Sequence, residues 1–271
     1  MKLSALRFAF LFAAIVATAV AFAPKTTTST RTTVTIASTP FTTPSSALFA
    51  SRAATLLDNL PDVEQLSTAP FMKQVQYGSE MTTALQSMTD DDETTKMKAS
   101  LEAQLSHSDG IRGFMVAYLT GTNSNIGVEE EIDPKILLET LHGLLTTSTT
   151  SDTSGTVQQI DDLVSLMFMN VVMPVAMITM HQDPALSEAS RMTAARGGRL
   201  LASVFESSPS IRSNARALYE AAAEESNDSD TSDPKLISYW KEFFGKWGYE
   251  VAQTKDIAAT MQELLSSSSS S

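Results

Sequence analysis

The feature that most constrains the fold of this chain is an uncharged apolar segment of eighteen residues, Leu163 to Met180. A segment of this kind either spans a membrane, for which it is at the lower length limit, or forms a helix that is buried on all sides. It contains Asn170 and Pro174, and it is flanked by Asp161-Asp162 and His181 rather than by lysine or arginine. These features favour a central core helix over a stable transmembrane span, with a kink at Pro174, where one backbone hydrogen bond is lost.

The remainder of the chain has a helical period. Between residues 71 and 265, apolar residues recur at spacings of three and four, in segments of ten to twenty residues. We therefore predict an all-α bundle of about seven to nine helices that forms a single domain over residues 71–265. Residues 50–70 are expected to be a loosely ordered lead-in, residues 266–271 a serine tail, and residues 146–156 and 224–232 low-complexity loops.

Three Asp-Pro pairs are predicted to start helices: Asp133-Pro134, Asp183-Pro184 and Asp233-Pro234. In each pair the aspartate caps free N–H groups and the proline occupies the first helical position, where its missing N–H costs nothing. The pairs are fifty residues apart, but the residues around the middle pair do not match the other two. Shared capping chemistry therefore explains the spacing better than a structural repeat does.

Other local signals place further helix ends. Thr89, followed by four acidic residues, predicts the start of a helix that runs to about Ser106. The apolar segment Ile111 to Leu119 is compatible with helix or strand, and Gly248 is a plausible helix stop.

The first 49 residues differ in composition from the rest of the chain. Lys2 and Arg7 precede an uncharged apolar run from Phe8 to Val20, so residues 1–21 are predicted to be a signal peptide that ends in small residues. From Phe22 to Ala50, 14 of 29 residues are serine or threonine, and no acidic residue occurs. This composition is typical of a transit peptide, which we place at residues 22–49.

The sequence Ala19-Val20-Ala21-Phe22-Ala23-Pro24 resembles the bipartite presequence of proteins of complex plastids of red-algal origin, as in diatoms. The motif there is usually Ala-Ser-Ala-Phe-Ala-Pro, so only the serine is replaced, by Val20. The resemblance implies import into the plastid through the secretory pathway, and residues 44–60 contain no second apolar targeting segment, which favours the stroma. The alternative is a secreted protein with a Ser/Thr-rich stalk, although the chain has no cysteine.

Net charge excludes some classes of partner. Four of the 19 basic residues and none of the 31 acidic residues precede position 50, so the remainder carries 15 basic and 31 acidic residues, a formal charge of −16. Such a surface repels nucleic acid and anionic lipid.

A cluster of arginines is the best candidate binding site. Five of the 15 basic residues that follow the presequence fall within 26 positions. They are Arg191, Arg196, Arg199, Arg212 and Arg216. The pairs at 196 and 199 and at 212 and 216 are each one turn apart, and Gly197-Gly198 would let a backbone or a ligand come close. The cluster predicts either a site for carboxylate or phosphate groups, or solvated helix faces on which Glu188, Glu206 and Glu220 pair with the arginines.

Other side chains allow two interpretations each. Met169, Met173 and Met177, with His181 one turn further on, have a spacing that could bind copper or haem, or that could fill the core. Trp240, Phe243, Phe244 and Trp247 form an aromatic stripe that suits the core or a docking surface. His107, His142 and His181 lie near predicted C-terminal ends of helices, without a zinc-binding spacing. We predict no metal and no cofactor.

Two hypotheses of function follow. In the first, the protein is a non-catalytic factor that binds plastid proteins in assembly or regulation. In the second, it is an enzyme or carrier that binds an acidic small molecule in an arginine-lined pocket between helices. Convergence of the arginines with His181 or Tyr219 in a pocket would favour the second hypothesis, and a flat basic or aromatic face would favour the first. No nucleophile elbow, phosphate loop or calcium loop is present in the sequence.

Overall fold

The computed structural model describes residues 55, 57–86, 88, 91–121, 133–146, 154–223 and 233–267. The helices are α1 (Val63–Thr68), α2 (Phe71–Leu85), α3 (Asp91–Gln104), α4 (Ser108–Thr120), α5 (Lys135–Thr146), α6 (Ser154–Met180), α7 (Pro184–Val204), α8 (Pro209–Ala223), α9 (Pro234–Trp247) and α10 (Val251–Ser267), with a 3₁₀ turn at Phe205–Ser207. Nine of these helices have seven or more residues, and the described part of the chain contains no strand. The predicted all-α bundle is confirmed.

Several predicted helix ends are confirmed because they depend on local chemistry. The Asp183 carboxylate accepts a hydrogen bond from the N–H of Ala185 at 2.8 Å, and Asp233 accepts one from Lys235 at 2.9 Å, each with proline next in the chain. Gly248 ends α9 with a φ of 68°, the left-handed conformation that glycine adopts without steric cost.

Other boundaries differ from the prediction or lie outside the described residues. The segment that was compatible with helix or strand forms α4. Helix α6 begins at Ser154, inside the stretch 146–156 that was predicted to be a loop. Thr89 and residues 1–49, 224–232 and 268–271 are not among the described residues. Within the lead-in at 50–70, Leu57 and Leu66 are buried in the core.

Helix α6 is the centre of the bundle, as its uncharged sequence predicted. It packs against α4, α7, α8 and α10, and Phe168, Val171 and Ala176 are completely buried. The helix continues through Pro174. Asp161–Met180 is the one segment of the described residues that is long and apolar enough to cross a membrane, and just over half of it is buried inside the protein. The core helices of soluble proteins meet the same criterion.

Close packing of α2 on α4 depends on two glycines. A Cβ added at Gly113 would lie 2.5 Å from the Cβ of Gln74, and one added at Gly78 would lie 2.9 Å from the Cα of Phe114. A larger residue at either position would therefore push the two helices apart.

The aromatic stripe of α9 belongs to the core. Trp240 is fully buried, its indole N–H donates to Oδ1 of Asn214 at 3.3 Å, and its ring packs edge-on against Phe168. Phe243 and Phe244 are also buried. The core interpretation of the stripe is confirmed for these three side chains, and Trp247 is half-buried against the same core.

Candidate binding cleft between helices α6, α7 and α10

Arg196 is a buried structural residue. Only 4% of its surface is exposed, and its Nη1 donates to the backbone carbonyls of Leu119 and Gly121, both at 3.1 Å. Leu119 lies in the last turn of α4, where carbonyl groups have no partner within the helix. Arg196 therefore caps the C-terminal end of α4.

Arg199, one turn further along α7, pairs with a buried acid. Its Nε lies 3.4 Å from Oδ2 of Asp133, whose side chain is 1% exposed, and Oδ1 of Asp133 accepts a hydrogen bond from the Tyr118 hydroxyl at 2.5 Å. This arrangement corrects the prediction for the first Asp-Pro pair: α5 begins at Lys135, and the Asp133 side chain accepts a hydrogen bond from α4 and forms an ion pair with α7.

The other three arginines lie on the surface. Arg191 forms an ion pair with Glu188, and Arg212 forms one with Glu206 at 2.7 Å, both between exposed side chains. Arg216 is exposed on α8. The structure therefore does not bring the five arginines together in one basic pocket, and two of the expected pairings with glutamate are present. Glu220 is buried in α8, next to the bundle core.

A cleft of about 810 Å³ lies between α6, α7 and α10, and it includes two of the predicted arginines, Arg191 and Arg199. Its floor consists of buried apolar side chains from the three helices: Val171, Val175, Leu201, Met261 and Leu264. The cleft is open to solvent along one side. Arg196, Arg212, Arg216, His181 and Tyr219 are not among its lining residues.

Small residues on α7 produce the cleft. Ala194, Gly198 and Ala202 recur at a spacing of four and line the same face of α7. A Cβ added at Gly198 would meet no atom within 4 Å, whereas one added at Gly197 would lie 2.9 Å from Val171. Gly197 thus allows α7 to approach α6 closely, and Gly198 faces the open space of the cleft. The close approach of another backbone that the sequence suggested for this pair is present at Gly197.

Two acidic residues that the sequence analysis did not select complete the cleft. Asp256 and Glu263, seven residues apart, line the cleft from α10, whereas Arg191 and Arg199 line it from α7. Their helical spacing places them on one face of α10, which is the signal that could have identified them. The cleft therefore has an apolar floor, a basic side on α7 and an acidic side on α10.

The histidines have separate structural environments. His107 lies three residues after the end of α3 at Gln104, near a C-terminal helix end as predicted, and it is also the N-cap of α4, with its Nδ1 accepting from the N–H of Gly110 at 3.3 Å. His181 follows the last residue of α6, as predicted. Burial lowers the pKa of His181, and Asp183 opposes this effect. Within the described residues, no group of three potential metal ligands occurs.

One histidine contacts a serine hydroxyl. His142 Nδ1 lies 2.8 Å from Oγ of Ser207, an exposed pair that joins α5 to the 3₁₀ turn. A serine nucleophile needs a base that a third group orients. In the described residues no carboxylate contacts the His142 ring, so the pair does not form a triad there.

The fold and the cleft define an all-α protein with an open, apolar-floored cleft at the side of its central helix. Residues 71–264 match the family described as uncharacterised conserved protein UCP020893, and the chain belongs to that family. The match includes α2 to α9 and most of α10, and therefore the three helices of the cleft. No curated protein and no solved structure matches the chain.

Proposed function

We propose that this protein is a non-catalytic binding factor of the plastid stroma that holds a partner protein in the cleft between α6, α7 and α10, during assembly or regulation of plastid proteins. The observation that carries the proposal is the cleft itself, a space of about 810 Å³ whose lining combines apolar side chains with charged residues on α7 and α10. Contiguous apolar surface with a polar rim is typical of a site that a partner covers.

The arrangement of polar side chains also supports binding rather than catalysis. Among the described residues, two polar contacts near the cleft stabilise the fold. Arg199 forms an ion pair with Asp133, and Thr179 accepts a hydrogen bond from Gln253 at 2.9 Å, which joins α6 to α10. A binding site of this kind needs shape and apolar area more than a reactive group.

The plastid location that we propose rests on the predicted presequence. Phe22 directly follows the predicted signal peptide, and the acid-free segment at 22–49 resembles a transit peptide. The charge of −16 that remains after residue 49 suits a protein or metabolite partner better than nucleic acid or an anionic membrane.

A second candidate function has one observation in its favour. The volume of the cleft falls within the range of about 300–1,000 Å³ that is typical of small-molecule sites. With Arg191 and Arg199 on one side, an apolar molecule that carries a carboxylate or phosphate group would fit the same cleft. In this alternative the protein is a carrier or an enzyme for an acidic metabolite or pigment.

Substitution of Gly198 tests whether the cleft is the binding site. Gly198→Leu places an apolar side chain in the cleft at a position where a Cβ meets no atom within 4 Å. Gly245→Leu on α9 is the matched control, because a Cβ at Gly245 also meets no atom within 4 Å and Gly245 does not line the cleft. Both substitutions replace a helical glycine and should raise helix stability by similar amounts.

The experiment is affinity capture from isolated plastids with the full chain tagged after Ser271, read by mass spectrometry for proteins and for small molecules. We expect defined protein partners with the unchanged chain and with Gly245→Leu, and their loss with Gly198→Leu. A co-purifying metabolite without stoichiometric protein would support the second candidate instead. Equal capture by all three chains would show that the cleft is not the binding site.

A further inference from the structure

We infer that the occupant of the cleft is an amphipathic helix of a partner protein, with acidic residues on the flank facing α7 and basic residues on the flank facing α10. The inference rests on the proposed function and specifies the chemistry of the ligand. It depends on the length of the cleft, its openness and the signs of the charges on its two sides.

The dimensions of the cleft suit a short helix. Its lining residues extend from Arg191 to Ala202 on α7 and from Asp256 to Ser267 on α10. At about 1.5 Å per residue, each side is roughly 16 Å long, or about three helical turns. The floor between them is apolar along this length, as an apolar helix face requires.

The openness of the cleft favours a helix over a small molecule. Small-molecule sites enclose most of their ligand, whereas a helix in a groove buries one face and leaves the other in solvent. Ala195 and Ala202 on α7 and Ala259 on α10 are exposed small residues of the lining. Small side chains at these positions allow another helix backbone to approach closely.

The charges on the two sides specify the polar flanks of the partner. Arg191 and Arg199 are eight residues apart on α7, and Asp256 and Glu263 are seven apart on α10, so each pair spans about two turns. A helix with acids on one flank and bases on the other complements both sides, in one orientation about its own axis. Arg191 can take part because its ion pair with Glu188 is exposed, and exposed pairs contribute little stability.

Site-specific photo-crosslinking identifies the segment that enters the cleft. The full chain carries a benzophenone amino acid at Ala202, which lines the cleft, or at the exposed control position Ser213 on α8. After irradiation in isolated plastids, peptides attached to position 202 are sequenced by mass spectrometry. We expect one segment, absent from position 213, with apolar residues at helical spacing and with acids and bases on opposite flanks.

Charge reversal then tests the orientation. The recovered segment is synthesised as a peptide and its Kd for the full chain is measured. We expect Arg191→Glu to weaken binding about tenfold and the peptide with its facing acid changed to lysine to restore it. Arg216→Glu, which makes the same charge change on α8 away from the cleft, should leave the Kd unchanged.

Three results would overturn the inference: no crosslinked peptide at position 202, a small molecule attached there, or a peptide whose binding does not respond to Arg191→Glu. A small molecule at position 202 that Gly198→Leu displaces would overturn the helix alone and leave the cleft as the binding site. Capture that Gly198→Leu leaves unchanged would overturn the proposed function itself, so the two failures are distinguishable.

Discussion

Nε of Arg199 lies 3.4 Å from Oδ2 of Asp133, and this contact joins residues that are 66 positions apart in the sequence. Arg196, one turn earlier on α7, binds the carbonyl of Gly121. Two arginines one helical turn apart on α7 therefore bind Gly121 and Asp133, the described residues on either side of 122–132. Arg196 and Arg199 therefore stabilise the fold. Of these two arginines, only Arg199 also lines the cleft.

Asp133→Asn tests the contribution of this ion pair. We expect a loss of about 1–3 kcal/mol in the free energy of unfolding, because the buried carboxylate is the partner of both Arg199 and the Tyr118 hydroxyl. Urea denaturation measures the change, and a double-mutant cycle with Arg199→Gln should give a coupling energy of about 0.5–3 kcal/mol. Asp183→Asn is the control, since asparagine caps a helix about as well as aspartate does. A coupling energy of zero would mean that the pair does not stabilise the fold.

Arg196→Met tests the cap at the end of α4. The substitution keeps an apolar chain in a buried position and removes both bonds to the backbone carbonyls, so we expect a loss of about 1.5–3 kcal/mol in unfolding free energy. Arg216→Met, at an exposed position on α8, should change it by less than about 0.5 kcal/mol. Similar values for the two variants in urea would refute a structural role for Arg196.

Gly113→Ala tests the close packing of α2 on α4. The added methyl group would lie 2.5 Å from the Cβ of Gln74, so we expect a destabilisation of about 1–3 kcal/mol from the overpacked contact. Gly143→Ala on α5 is the matched control, because a Cβ there meets no atom within 4 Å. The control should instead stabilise the protein by about 0.8–1 kcal/mol through helix propensity. Thermal unfolding of the two variants should therefore shift in opposite directions.

The stability of the protein should fall at alkaline pH in part because of Tyr249. Burial against Phe243 and Phe244 raises the pKa of the Tyr249 phenol above its ordinary value, so the folded state favours the neutral form. The contribution is fully present below the unfolded pKa of about 10 and is lost as the pH rises above that value.

Tyr249→Phe isolates this effect. We expect the variant to lose less unfolding free energy than the unchanged chain between about pH 9 and 11, as measured by urea denaturation at each pH. Tyr77→Phe, which removes a phenol on α2, away from the aromatic rings of α9, is the comparison variant. Parallel pH profiles for the unchanged chain and Tyr249→Phe would contradict the prediction.

Phe22→Ala tests the proposed address. The resemblance to the plastid presequence depends on the phenylalanine that directly follows the predicted signal peptide, so we expect a fluorescent protein fused to residues 1–49 to enter the plastid and the Phe22→Ala fusion to remain outside it. Val20→Ser, which restores the serine of the usual motif, should not change the location. Fluorescence microscopy in a diatom provides the measurement, and plastid entry by both variants would remove the support for this presequence type.

Features that depend on neighbours in the sequence could be predicted. Asp183 and Asp233 cap their helices, and Gly248 ends one, because each acts on backbone groups within a few residues. The central position of α6 also followed from composition, since an uncharged helix in an acidic chain is stable where other helices surround it.

Features that depend on distant residues could not be predicted. Asp133 has the same sequence signature as the two capping aspartates, yet its carboxylate accepts a hydrogen bond from Tyr118 and forms an ion pair with Arg199. His107 lies near the C-terminal end of α3, as predicted, but the sequence did not reveal that it also caps the first turn of α4. In each case the packing of the helices decides which groups the side chain contacts. The local sequence pattern does not contain that information.

The candidate site shows the same division. The sequence by itself determined the helices, the central one among them, and the charge balance, because periodicity, caps and composition act locally. Tertiary structure alone decided that Arg196 lies in the core, and that Arg191 and Arg199 of α7 line the same cleft as Asp256 and Glu263 of α10. The physical reason is that a cleft is the space that three helices leave between them, and small residues on one helix create that space only when the other two are in place.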